Sequence, residues 1–119
     1  MNFDQAIYNA MSTFPGLEDA TIRPDIALDT DVQPYIVYSM VFNAANWTLT
    51  GPSTLDNAHF QVDVYSKVRG DGVALADLVT QAITQSSVLT GIPISNQSGY
   101  EPDTKLYRRM MVFSVWLNA

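Results

Sequence analysis

The one histidine, His59, is where acid-base catalysis would start, since imidazole is the side chain that exchanges protons near neutral pH. It lies in the alternating stretch AHFQVDVY, on the polar side with Gln61, Asp63 and Tyr65, and no serine, cysteine or second histidine forms a recognisable partnering motif with it. A triad needs a nucleophile held by an oriented base, so His59 reads better as an exposed or interfacial strand histidine. Asp25, Asp29 and Asp31 invite a calcium reading, but the run lacks the glycine and the closing glutamate of an EF-hand loop. A solvated acidic loop fits them better. Gly70-Asp71-Gly72 has neither the length nor the lysine of a phosphate-binding loop and reads as a turn between strand and helix. With no cysteine, disulfides, thiolate nucleophiles and sulfur-ligated metals are excluded. Spacing singles out no pair among the 12 Asp and Glu residues for glycoside chemistry. No catalytic residue, metal ligand or cofactor is expected, and the chain is not read as an enzyme.

More telling are apolar and cationic residues placed where a lone monomer would not need them. Arg108 and Arg109 are adjacent in LYRRMMVFSVWL (Leu106 to Leu117), so on a strand they point to opposite faces, and a carboxylate is the expected partner of one that faces solvent. Trp116 shares the Arg108 face. Trp47, Leu49 and Leu55 sit in the polar connection Asn43 to Asn57, which is long for a hairpin. Aromatic residues beside arginine are typical of interface centres. Trp47, Leu49, Leu55, Arg108 and Trp116 are therefore the candidate interface residues. The alternatives are that Trp47 packs back on its own sheet and that Arg108 makes a surface salt bridge.

These residues need elements to position them. At 119 residues, with 47% hydrophobic and 15% charged, the chain has the size and composition of one folded domain, residues 1–119. Phe3, Ala6, Ile7, Ala10, Met11 and Phe14 fall at offsets 0, 3, 4, 7, 8 and 11, which predicts a helix with Asn2 as N-cap, Gln5 as its capping-box partner, and Pro15-Gly16 as its end. Leu17 to Gln33 reads as an acidic surface connection with a short strand at Ala20 to Arg23. PYIVYSMVF reads as a central strand and Ala58 to Tyr65 as a half-buried one, paired antiparallel through the loop between them. Leu75, Leu78, Val79, Ala82 and Ile83 predict a second helix capped by Asp71. Ser95 to Thr104 reads as turn-rich, with a short strand near Ile92 to Ser95, before the last strand. The expected fold is α+β, a two-layer sandwich with a mainly antiparallel sheet of about four strands and two helices packed on one face. An open sheet edge or the hairpin is expected to face a neighbour, because little in the lysine-free Tyr35 to Phe42 strand would blunt an unpaired edge.

A net charge of −6 disfavours general binding to duplex DNA or to anionic membranes. No apolar run is long enough to span a bilayer. The N-terminus lacks the basic and apolar regions of a secretory signal, so assembly in the cytoplasm is expected.

Taken in order, PYIVY at Pro34, WTLTGPSTLDNAHFQVDVYSK at Trp47 to Lys67, ALADLVTQAI at Ala74 to Ile83 and LYRRMMVFSVW at Leu106 to Trp116 resemble the tail completion, or tail terminator, proteins of long-tailed bacteriophages and related tailed particles. The resemblance runs from Ile22 onward and rests on the order and spacing of motifs rather than on any one of them. It implies a virion protein made in the bacterial host cytoplasm and placed at the head-tail junction. The implied assembly is a hexameric ring on the head-proximal end of the tail tube that stops tube polymerisation and offers the surface joined by head-completion proteins. Its partners would be copies of itself, the tail tube protein and a head-completion or connector protein. DNA would pass its lumen without specific binding. The rival readings are a head-to-tail connector or stopper and, from a different class, a small ligand-binding or enzymatic α+β domain.

Overall fold

A computed structural model of the chain describes residues 2–27, 32, 34–44, 47–48, 51–52 and 57–118. Helix α1 (Phe3–Ser12) begins with the expected capping box. Asn2 Oδ1 accepts from the Gln5 amide at 2.8 Å, and Gln5 Oε1 accepts from the Asn2 amide at 3.1 Å. This reciprocal pair satisfies two donors of the helix start. The helix ends two residues before Phe14, and Gly16, at φ 96°, turns the chain with a backbone angle that side chains resist.

Strands β1 (Thr21–Pro24), β2 (Tyr35–Ala44), β3 (Trp47–Thr48), β4 (Gly51–Pro52) and β5 (Asn57–Ser66) precede helix α2 (Arg69–Thr84), and β6 (Leu89–Glu101) and β7 (Leu106–Leu117) follow it. The main sheet has five strands in the order β1-β2-β5-β7-β6, while β3 and β4 pair only with each other. β2 with β5 is antiparallel, as expected, and β5 with β7 and β7 with β6 are antiparallel too. β1, however, runs parallel to β2, which makes the sheet mixed and gives it one more strand than expected. β2 is therefore an inner strand along Tyr35 to Tyr38, where it has a neighbour on each side. Among the described residues, the end strands are β1 and β6, and β1 covers only Tyr35 to Tyr38 of the Tyr35 to Phe42 stretch.

Two other expectations are corrected. Ser95 to Thr104 is not mainly turn: β6 pairs with β7 from Leu89↔Leu117 to Glu101↔Leu106, with one register shift between Pro93 and Ser95. Its polar residues are tolerated because an edge strand has little core to fill, and the ladder with β7 supplies what local propensity does not. Asp71 is not the cap of α2, which starts at Arg69 after Val68. Both glycines lie inside the helix, Gly70 facing open space and Gly72 buried, with room for a Cβ at ordinary contact distance, 3.5 Å, from Ser66 Cβ. Asp71 instead lies in the first turn, where its charge favours the helix dipole.

Both helices bury their apolar stripes on the same sheet face. Phe3, Ile7 and Met11 of α1 and Val79, Ala82 and Ile83 of α2 pack with Ile36, Phe60, Val62, Val64, Met111, Phe113 and Val115. Burying one of the larger of these side chains contributes about 1.5–3 kcal/mol. Neither of the two described helices covers the opposite sheet face, which holds the outward alternates of β2, β5 and β7.

Candidate assembly surface

Alternation along β7 decides which predicted residues share the uncovered face. Met111, Phe113 and Val115 point to the helices, so Arg108, Met110, Val112, Ser114 and Trp116 point away from them. On β5 the same parity gives Asn57, His59, Gln61, Asp63 and Tyr65, and on β2 it gives Tyr35, Val37 and Ser39.

Arg108 lies at one end of this face, in the row Tyr35–Tyr65–Arg108. Its Nη2 donates to Asp63 Oδ2 at 2.8 Å and its Nη1 to Glu101 Oε1 at 3.5 Å. Gln61 Nε2 donates to both Asp63 oxygens, at 3.2 and 3.1 Å. The Tyr35 and Tyr65 rings stack with centroids 5.1 Å apart, and the guanidinium carbon stands 5.6 Å from the Tyr65 centroid. The expected carboxylate partner of Arg108 is thus present twice. Asp63 is only 7% exposed, and a charge so placed requires such a partner. Burial lowers the Arg108 pKa, but the hydrogen bond and charge of Asp63 outweigh it, so the guanidinium is held above its ordinary value. Burial pushes the Tyr65 hydroxyl up, with the Arg108 charge pulling the other way. The price of this arrangement is an Arg108 Nε enclosed without an acceptor.

These residues and Ser39 line a shallow hollow of about 390 Å³ bounded by Asp25 and Ile26 beyond β1. Its polar groups are engaged with one another, a pattern that fixes side chains rather than activating them. Among the described residues, no group of three His, Asp or Glu side chains could hold a metal ion. No described helix is long and apolar enough to cross a membrane.

Trp116 is on the same face as Arg108 and half-buried, but the two are eight positions apart on one strand, about 26 Å, so they form no single cluster. Near Trp116, Asn57 Nδ2 donates to Ser114 Oγ at 2.8 Å and to the Val115 carbonyl at 3.1 Å. His59 stands opposite Ser114 in the ladder. The Trp47 backbone pairs with Pro52 in the small β3-β4 ladder, so the connection between β2 and β5 carries a ribbon of its own. Leu49 and Leu55 lie outside the described residues, as do Asp29 and Asp31. Sequence reasoning missed Asp63, Glu101 and Tyr65 as partners of Arg108, and it missed the β6 edge. One signal was available: Asp63 is an acid in a strand that is otherwise apolar or neutral, and burial there demands a counter-charge.

The backbone is similar to a chain in a solved structure described as the virion of a native gene transfer agent particle. The TM-score is 0.74 at 14% identity, over 98% of this chain and 95% of that one, a likeness that concerns the fold. A search of curated proteins finds no match. The family model described as tail completion protein gp17 matches residues 5–118. That span holds α2, every strand of the sheet and nearly all of α1, together with every motif that carried the resemblance, and the chain belongs to the tail completion protein family.

Proposed function

We propose that this chain is a structural virion subunit that assembles as a ring, hexameric by family resemblance, on the head-proximal end of a tail tube. There it stops tube polymerisation and provides the surface to which the head is joined. The observation that carries this reading is the family match over residues 5–118. The sheet supports it: its two lateral edges differ in sequence and length, which suits a head-to-tail contact between copies. Such a contact generates a ring when its rotation closes. A net charge of −6 suits a lumen that DNA traverses without adhering. The tail tube protein, a head-completion or connector protein and further copies of the chain are the partners, and Trp47, Leu49, Leu55, Arg108 and Trp116 remain the proposed contact residues.

Mass photometry of the purified protein together with immunogold labelling of particles tests the reading. A closed oligomer, with label confined to the tube end that meets the head, is the expected result. A label on the portal side of tailless heads would assign the chain to the connector. A monomer that never associates and is absent from particles would remove the structural role altogether.

A further inference from the structure

We infer that the outer edge of β6 receives the acidic β1 edge of a second copy of this chain, strand against strand; this rests on the ring reading above and names the surfaces that would close it. Among the described residues β6 ends the sheet, and no strand lies beside its outward backbone groups. Every residue from Ile92 to Tyr100 is exposed, including Ile92 at 50% and Ile94 at 53%. Soluble proteins usually blunt such an edge with lysines, prolines or short length. Here the strand has 13 residues, no lysine or arginine, and only Pro93 with its neighbouring register shift as a guard.

The other lateral edge is β1, which carries Arg23, the sixth basic residue, but is flanked by exposed Glu18, Asp19 and Asp25, with Ile26 at 74% exposure two residues beyond Pro24. The basic residues are distributed oppositely. Lys67, Arg69, Lys105, Arg108 and Arg109, five of the six, gather where β5 ends, α2 begins and β6 turns into β7. Arg69 lines a small hollow with Ser98 and Gly99 of β6, and Arg109 Nη1 donates to Ser98 Oγ at 2.9 Å.

Register shows that these charges can meet. The row Thr21–Tyr35–Tyr65–Arg108–Gly99 crosses all five strands, and so does Pro24–Tyr38–Val62–Met111–Asn96. β1 therefore lies level with Asn96 to Gly99 and runs antiparallel to β6. A second copy displaced sideways in the same orientation brings its β1 antiparallel to that segment. Its Glu18 and Asp19 arrive at the Gly99 end, level with Glu101, whose carboxylate Arg108 already engages, and with Asp103, Arg69 and Lys105 close by, and its Ile26 lies toward Ile94. Opposite charge across the contact steers association and rejects the reversed register. The contact is heterologous, so each copy keeps one free edge of each kind until the ring closes.

Two charge-reversed proteins test this. One carries Glu18→Lys and Asp19→Lys, and the other carries Arg69→Glu and Lys105→Glu. Each alone has two edges of like charge and is expected to associate at least tenfold more weakly than the unmodified chain. An equimolar mixture is expected to regain the oligomer, with the two proteins alternating by native mass spectrometry. Thermal melts matching the unmodified monomer show that the folds are kept, and Ile92→Lys with Ile94→Lys should weaken association without touching these charges. Normal self-association of either charge variant, or no rescue on mixing, overturns the assignment. If both variants assemble normally while particles lacking the protein still make overlong tails, the edge assignment fails and the terminator reading stands. Tails of normal length would instead fell the terminator reading, whatever the edges do.

Discussion

Asp63 and Arg108 show what one buried charge demands of its surroundings. Asp63 is nearly enclosed while Arg108 keeps part of its side chain in solvent, so the pair lies between the surface case, worth little, and the fully buried case, where losing one partner costs several kcal/mol. Arg108→Ala should therefore destabilise the fold by about 2 kcal/mol, measured as a shift in the urea midpoint. A change below a few tenths would show that Asp63 is satisfied by Gln61 and solvent alone. That Arg108 would find a carboxylate was legible in the sequence. Which one was not, because Asp63 reaches it diagonally across a β5-β7 register that no local pattern reveals. Two tyrosines give a second test at this scale. Burial raises the pKa of Tyr38 and of Tyr65 above the ordinary 10.0, so the folded chain binds these protons more tightly than the unfolded one. The stability this supplies is complete below pH 10 and is lost as pH rises through the raised folded values. Urea midpoints should fall across that window, and less steeply for Tyr38→Phe and Tyr65→Phe. Equal slopes in both variants and the parent would contradict the burial argument.

Periodicity revealed the elements that have a core face. The stripe of α1, its capping box, the antiparallel pairing of β2 with β5 and the alternation of β7 are all in the structure as the spacing implied. β1 is present one residue along from its expected place. Elements that border the core without filling it were less legible. β6 beyond Ser95 has the composition of a turn, and it is a strand only because β7 offers it a ladder. The start of α2 was misplaced because Gly72 looked like a turn residue, whereas it is a buried residue of the helix's first turn. A glycine is sterically required at Gly91, by the other end of α2: a Cβ there would run into the fully buried Ile83 side chain and crowd its carbonyl. Gly91→Ala should cost about 1–3 kcal/mol through forced repacking of α2 on β6. Thermal melting would show it, and an unchanged midpoint would mean that Ile83 can yield at no cost.

On the scale of the molecule, one sheet face and two sheet edges lie outside the helical core among the described residues. The order and spacing of the chain's motifs were enough to make the family legible in the sequence. The surfaces that would meet neighbours were not legible, because an interface is written on two copies and the sequence displays one. For the connection carrying Trp47, the proposal that it contacts another subunit predicts that Trp47→Ala weakens association by about 2 kcal/mol or more while the monomer melts normally. Loss of monomer folding with no separable defect in association would return Trp47 to its own domain. The proposed role, ending a growing tube, is tested most directly by tail length in electron micrographs of particles made without the protein. Tails of uncontrolled length that fail to join heads are the expected result. Tails of normal length would contradict the role, and normal tails beside unjoined, leaking heads would identify the protein as the connector instead.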